Sequence, residues 1–198
     1  MLQILQFIVL IFSIVIHEVA HGSMAKELGD DTAEKMGRLT LNPLSHLDPV
    51  GSVILPLLLF ISTQGRFVFG WAKPVPYNPL NLKNPAKDSA KIAIAGPAAN
   101  LLLALVVGIF IRVFGSYFSN LVPFLLLIVR LNILLALFNL VPIPPLDGSK
   151  ILFFFFPSPK LEIFLMRYSF LLIILFLFFG WGLLWPPINF LTSLFTGL

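Results

Sequence analysis

The chain has 198 residues, 58% hydrophobic and only 11% charged, where soluble domains carry roughly a quarter charged residues. It has no cysteine, which excludes disulfides and cysteine-type zinc sites, and its net charge of +4 is scattered between apolar runs rather than gathered as a nucleic-acid footprint. The expected class is an all-α polytopic membrane protein, a bundle of about 4–6 transmembrane or re-entrant helices with a small β-hairpin element.

The first apolar segment runs from Leu2 to Leu28, and from Leu2 to Ile16 only Gln3, Gln6 and Ser13 are polar. About 20 residues at about 1.5 Å rise cross a hydrocarbon core about 30 Å thick, and Lys26 ends the apolar part. The segment has no basic leader region and no small-residue cleavage site, so it reads as a retained span rather than a signal peptide. Within it stands His17-Glu18-Val19-Ala20-His21. Positions i and i+4 share a helix face, so both imidazoles can converge on one metal ion. Glu18 sits beside the first of them, placed to act as general base toward a metal-activated water. The pattern is rare by chance and rarer inside an apolar helix. It points to a metal-dependent hydrolase working at membrane depth.

Gly29-Asp30-Asp31 breaks the helix. The polar stretch from Asp30 to Asp48 contains Pro43 and runs into Pro49, which argues against a continuous helix. Val50–Ile61 is apolar but about 12 residues long, with Gly51 and Pro56 inside it, and reads as re-entrant rather than spanning. Arg66–Trp71 alternates aromatic and small residues, as a short strand or hairpin does. Ala72-Lys73-Pro74-Val75-Pro76-Tyr77-Asn78-Pro79 must be extended.

Two further spans follow, at about Pro85–Phe114 and Val122–Val141. Gly96-Pro97 in the first permits close packing and a kink. The second runs into Pro142-Ile143-Pro144-Pro145, where no regular helix is possible. Ile151–Phe156 is a short apolar piece, Leu161–Leu184 a spanning candidate, and Pro186–Leu198 an expected interfacial tail. The catalytic part is expected at about 1–150, with C-terminal helices over 151–198, all within one membrane-embedded domain. If Val50–Ile61 does not cross, eleven of the thirteen Lys and Arg residues fall on one side, the cytoplasmic side by the positive-inside rule. His17, His21 and Asp147 then approach that same side.

A catalytic zinc takes three protein ligands and keeps one position open. The third is His46, the only other histidine, or a carboxylate. Seven of the nine acids lie in or beside polar segments, and one is Glu18 itself. Asp147 stands apart, flanked by membrane-grade sequence in a proline-rich break. An acid there is costly unless paired or metal-bound, although it could also cap a helix beginning at Gly148. Asn100 and Asn139 fit either interhelical hydrogen bonding or substrate binding.

His17-Glu18-x-x-His21, Gly96-Pro97-x-x-Asn100 and Asn139-x-x-Pro142 with Asp147-Gly148 together resemble the site-2 protease family of intramembrane zinc metalloproteases. Gly37–Pro43, His46-x-Asp48-Pro49 and Phe69–Pro76 are similar to its small prokaryotic members, and no segment reads as a PDZ or CBS domain. The likeness covers about residues 10 to 150. It implies one Zn2+ per chain held by His17, His21 and Asp147, with Glu18 as general base. It also implies that Asn139 holds substrate or oxyanion, that Asn100 supports the site, and that the Arg66–Trp71 hairpin pairs with an unwound substrate. The implied activity is hydrolysis of peptide bonds in or near transmembrane segments of membrane-protein substrates, in a prokaryotic inner or plasma membrane. A metal transporter or sensor using the same histidines is the alternative. Such proteins usually carry internal repeats and a path of intramembrane polar residues, and no repeat is visible here.

Overall fold

Residues 2–64 and 73–198 are described by a computed structural model. The polar-poor N-terminal run forms α1, Leu2–Glu27, which stops where Gly29 adopts φ +105°. A short α2, Thr32–Lys35, follows. The Asp48 carboxylate then accepts from the Val50 and Gly51 amides and starts a widened turn, Pro49–Ile54, that leads into α3, Leu55–Ser62. As the length of its apolar run predicts, α3 is not among the helices long and apolar enough to cross a membrane.

The longest helix is α4, Pro85–Phe114, and its start is doubly capped. The Asn84 side chain accepts from Lys87 N–H, the Asp88 carboxylate accepts from Asn84 N–H, and Pro85 occupies the first helical position. α4 continues through Pro97, then α5, Val122–Asn139, returns beside it. α6, Asp147–Phe155, begins directly after the proline-rich break and packs on α4. α7, Pro159–Leu175, passes through non-α helical turns over 176–184 into α8, Trp185–Thr196.

Among the described residues four helical stretches have the length and composition of membrane spans: Leu5–Glu27, Pro85–Phe114, Ser119–Asn139 and Pro159–Thr196. The protein is an all-α integral membrane protein. α4 is central, packing against α1, α5, α6 and α8. Small residues Ala104 and Ala136 allow close helix approach, and Val129, Ile133, Leu184 and Ile188 fill the remaining space. Because lipid is as apolar as these side chains, contact and shape hold the bundle rather than expulsion of water.

One expectation changes. The segment after Pro186 is not an interfacial tail. It lies within α8, which packs on α4 and α5 and buries Ile188, Thr192 and Thr196. Pro186 and Pro187 fall in the first turn, where proline costs no hydrogen bond. The two buried threonines donate back to Ile188 O and Thr192 O, so no polar group is stranded. The Arg66–Trp71 hairpin lies outside the described residues, and no strand occurs among those described.

Candidate metal centre

α1 places His17 and His21 one turn apart on a single face, both buried. Asp147 reaches them from the first turn of α6 and is buried too. It does not cap that helix, whose N-cap is Leu146. His17 Nε2 lies 3.1 Å and His21 Nε2 3.0 Å from the same oxygen, Asp147 Oδ2, and the two Nε2 atoms are 3.0 Å apart.

The outer ring nitrogens decide the chemistry of the inner ones. His17 Nδ1 lies 2.6 Å from Asn100 Oδ1, and His21 Nδ1 lies 2.6 Å from the Ile92 carbonyl. Both partners accept, so both Nδ1 atoms carry the proton and donate. In the neutral rings each Nε2 then presents a lone pair, and Asp147 Oδ2 presents another. Three acceptors within about 3 Å of one another, without a proton among them, repel unless a cation lies between. Tetrahedral zinc with bonds of about 2.0–2.1 Å would hold its ligand atoms about 3.3 Å apart, close to the spacing present. The donor set therefore fits a divalent cation such as zinc. Among the described residues this is the group of three His, Asp or Glu side chains able to hold one.

Gly96 of α4 makes the space. A Cβ there would lie 2.5 Å from His21 Nε2 and 2.6 Å from His17 Nε2. Any larger residue would drive a methyl group into the edges that face the carboxylate. The next residue, Pro97, has no N–H for the Ala93 carbonyl, which loosens the turn whose Ile92 carbonyl receives His21.

Glu18 is held from another direction. Its Oε2 accepts a 2.7 Å hydrogen bond from the backbone N–H of Val75. Val75 lies in the strap Lys73–Asn78, which lacks helix or strand structure as the prolines require. Hydrogen bonds at both ends pin this strap. Lys73 N–H donates to His46 O at 2.9 Å, and Asn78 N–H donates to Asp30 at 2.7 Å. The buried Arg38 guanidinium reaches the carbonyls of Ser45, Lys73 (2.7 Å) and Pro74 (3.3 Å). Gly22 admits the strap, since a Cβ there would meet Val75 Cγ1 at 2.7 Å and Leu39 Cδ2 at 2.5 Å. Lys150 joins the two halves of the site. Its Nζ is 3.5 Å from Asp147 Oδ1 and 5.4 Å from the centre of the Tyr77 ring.

Asp30 anchors the far end of the strap. Burial alone would push its carboxyl up. The hydrogen bonds from the Thr32 hydroxyl, the Asn81 amide and the Asn78 and Thr32 backbones outweigh that and hold it below the usual carboxylate range.

The predicted residues are thus sorted. His17, His21 and Asp147 meet, Asn100 touches His17, and Glu18 adjoins them with Val75 on its carboxylate. His46 is not in the cluster. It is buried beneath the strap with Nε2 2.9 Å from Thr40 O. Asn139 Nδ2 donates to Leu135 O in its own helix. Sequence reasoning missed Arg38, Val75 and Asn132. Asn132 is fully buried, and its amide oxygen accepts from Asn100 Nδ2 at 2.8 Å. An amide on the face of α5 that also carries Val129 and Ala136 was the available signal for it.

Comparison with known proteins decides the family. Residues 115–177 match the model of Peptidase family M50, a stretch that contains Asn139 and Asp147. A Bacillus subtilis (strain 168) protein named "Putative zinc metalloprotease YwhC" is 42% identical over 154 residues, covering 73% of this chain and 66% of that protein. The chain belongs to the M50, or site-2 protease, family. A Mycolicibacterium smegmatis member named "Putative zinc metalloprotease Rip2" is 34% identical over 142 residues, 70% of this chain and 52% of that protein. The chain thus spans between about half and two thirds of the length of these curated relatives. No solved structure matches.

Proposed function

We propose that this M50 member is a zinc metalloendopeptidase that cleaves peptide bonds in or near transmembrane segments of other membrane proteins, as one membrane-embedded domain over 1–198. The observation that carries the reading is the convergence of His17 Nε2, His21 Nε2 and Asp147 Oδ2, all buried, beside a carboxylate that takes no part in the cluster. His17, His21 and Asp147 would hold one zinc. When bound, zinc supplies the Lewis acidity that acidifies water and polarises a carbonyl.

The chain's own groups do the rest. Glu18, oriented by Val75 N–H, takes a proton from the water that adds to the scissile carbonyl carbon. As the C–N bond breaks, Glu18 returns that proton to the departing amine nitrogen. Asn100 keeps the His17 proton on Nδ1. Asn139, with one N–H occupied by Leu135 O, offers its carbonyl oxygen and second N–H to substrate or oxyanion. A helical substrate hides its carbonyls, so it must unwind locally before Glu18 can act, and strand pairing at Arg66–Trp71 would satisfy the groups so freed. The bias of Lys and Arg toward one side supports a site facing the cytoplasm, and the likeness to small prokaryotic members supports a prokaryotic cell membrane.

The test is Glu18→Gln in the purified full chain. Zinc content stays at wild-type level and cleavage of a transmembrane peptide panel falls by about 10²–10⁴, the usual contribution of a general base. Retained proteolysis removes Glu18 from the mechanism. Zinc uptake into proteoliposomes without any cleavage would instead support the transporter.

A further inference from the structure

Behind His17, away from Asp147, a chain of amides crosses three helices. Asn100 of α4 is fully buried, as is Asn132 of α5, and Ser13 of α1 is 2% exposed. Asn100 Nδ2 donates to the Ser13 carbonyl at 3.2 Å and to Asn132 Oδ1 at 2.8 Å. Asn132 Nδ2 donates to Ser13 Oγ and to the Ile128 carbonyl, both at 2.9 Å. Both N–H groups of each amide are therefore used, and each amide oxygen accepts.

Two of these partners are backbone carbonyls, which can only accept. The Ile128 carbonyl forces Asn132 to turn its NH2 that way, which leaves Asn132 Oδ1 facing α4. That oxygen and the Ser13 carbonyl then force Asn100 to turn its own NH2 toward them, which leaves Asn100 Oδ1 facing His17 Nδ1 at 2.6 Å. Flipping either amide would set acceptor against acceptor at a fully buried position. An amide oxygen can only accept, so the ring nitrogen facing it must be the donor: the proton of neutral His17 sits on Nδ1 and the lone pair on Nε2.

We propose that Asn132, together with Ser13, is a positioning residue for the metal centre: the relay Ile128 O–Asn132–Asn100 fixes the tautomer of His17 from two helices away. The proposal rests on the zinc reading of His17, His21 and Asp147, but its first readout does not. His21 supplies an internal control. Its Nδ1 is fixed by a different acceptor, the Ile92 carbonyl, to which Asn132 makes no hydrogen bond. A bland role for Asn132, simply tying helices together, would leave the His17 tautomer untouched or disturb both histidines alike.

The experiment uses the full chain in detergent micelles, stripped of metal and labelled with 15N-histidine, at a pH where the rings are neutral. In wild type both His17 and His21 show a protonated Nδ1 and a bare Nε2. In Asn132→Leu, His17 alone acquires a population of the Nε2–H form. Its zinc dissociation constant, from competition with a chelator, weakens about 10- to 100-fold, as loss of an outer partner of a ligand does. Asn132→Ala, smaller and still a good helix former, repeats the shift if leucine disrupts packing. Asn100→Leu gives an effect at least as large. An unchanged His17 tautomer in both Asn132 variants overturns the relay, as does an equal change at His21. If the wild type binds no zinc while Asn132→Leu still shifts the His17 tautomer, the relay stands and the metal reading beneath it falls.

Discussion

The two sides of the site are built differently. The side proposed to face the metal is borne on helices. His17, His21, Asn100, Asn132 and Asp147 project from α1, α4, α5 and α6, and all are buried. The side that holds Glu18 depends on the strap, a proline-rich segment pinned by Val75, Arg38 and Asp30. Ligands must stay within tenths of an ångström to bind a metal, which rigid packed helices provide. A general base must exchange protons with substrate, and an extended segment can yield without unfolding the bundle. Metal affinity and base placement should therefore be separable by mutation.

The largest expected effect is on the helical side. Asp147→Ala removes one of the three proposed ligands, so elemental analysis should find most of the zinc lost and cleavage abolished. Unchanged metal content would return His46 to candidacy, against its place beneath the strap. Gly96→Ala should come next. Its methyl group would press on both Nε2 atoms, and metal affinity should fall about 10- to 100-fold.

The strap side should respond in the opposite sense. Val75→Pro keeps the extended backbone between Pro74 and Pro76 but deletes the N–H on Glu18. A hydrogen bond to a charged group contributes about 1.5–3 kcal/mol, so kcat should drop about 10- to 100-fold with zinc content unchanged. Gly22→Ala, which crowds the strap without touching the ligands, should give a milder loss of the same kind. Metal loss in either variant would mean that the two sides are coupled.

The helical side was largely legible in the sequence, because H-E-x-x-H is a local pattern whose period is that of the helix. Asp147 was legible because a lone acid in membrane-grade sequence needs a partner. The strap was legible as extended, from Pro74 and Pro76, but its hydrogen bond to Glu18 joins residues 57 apart and has no local signature. Asn132 was hidden because one amide in a span usually means only interhelical contact. The last helix was misplaced because Trp185-Pro186-Pro187 resembles a break, whereas prolines in a first turn start a helix as readily as they end one.

The smallest prediction concerns acid. The Asp30 carboxyl is held below its ordinary value, so its contribution to stability is complete above the unfolded-state value of about 3.9 and is lost as pH falls through the lower folded value. Hydrogen exchange at Asn78 N–H, which donates to Asp30, should quicken over that range before exchange in α4 does. In Asp30→Asn the acid step should disappear.

The claim on which both sides depend is that two imidazoles and one carboxylate hold a single zinc. X-ray absorption at the zinc edge of the purified full chain tests it most directly. About one zinc per chain is expected, with two nitrogen neighbours of imidazole type and oxygen neighbours completing the set, and one nitrogen lost in His17→Ala. A zinc site without imidazole, or one unaltered by His17→Ala, would contradict it.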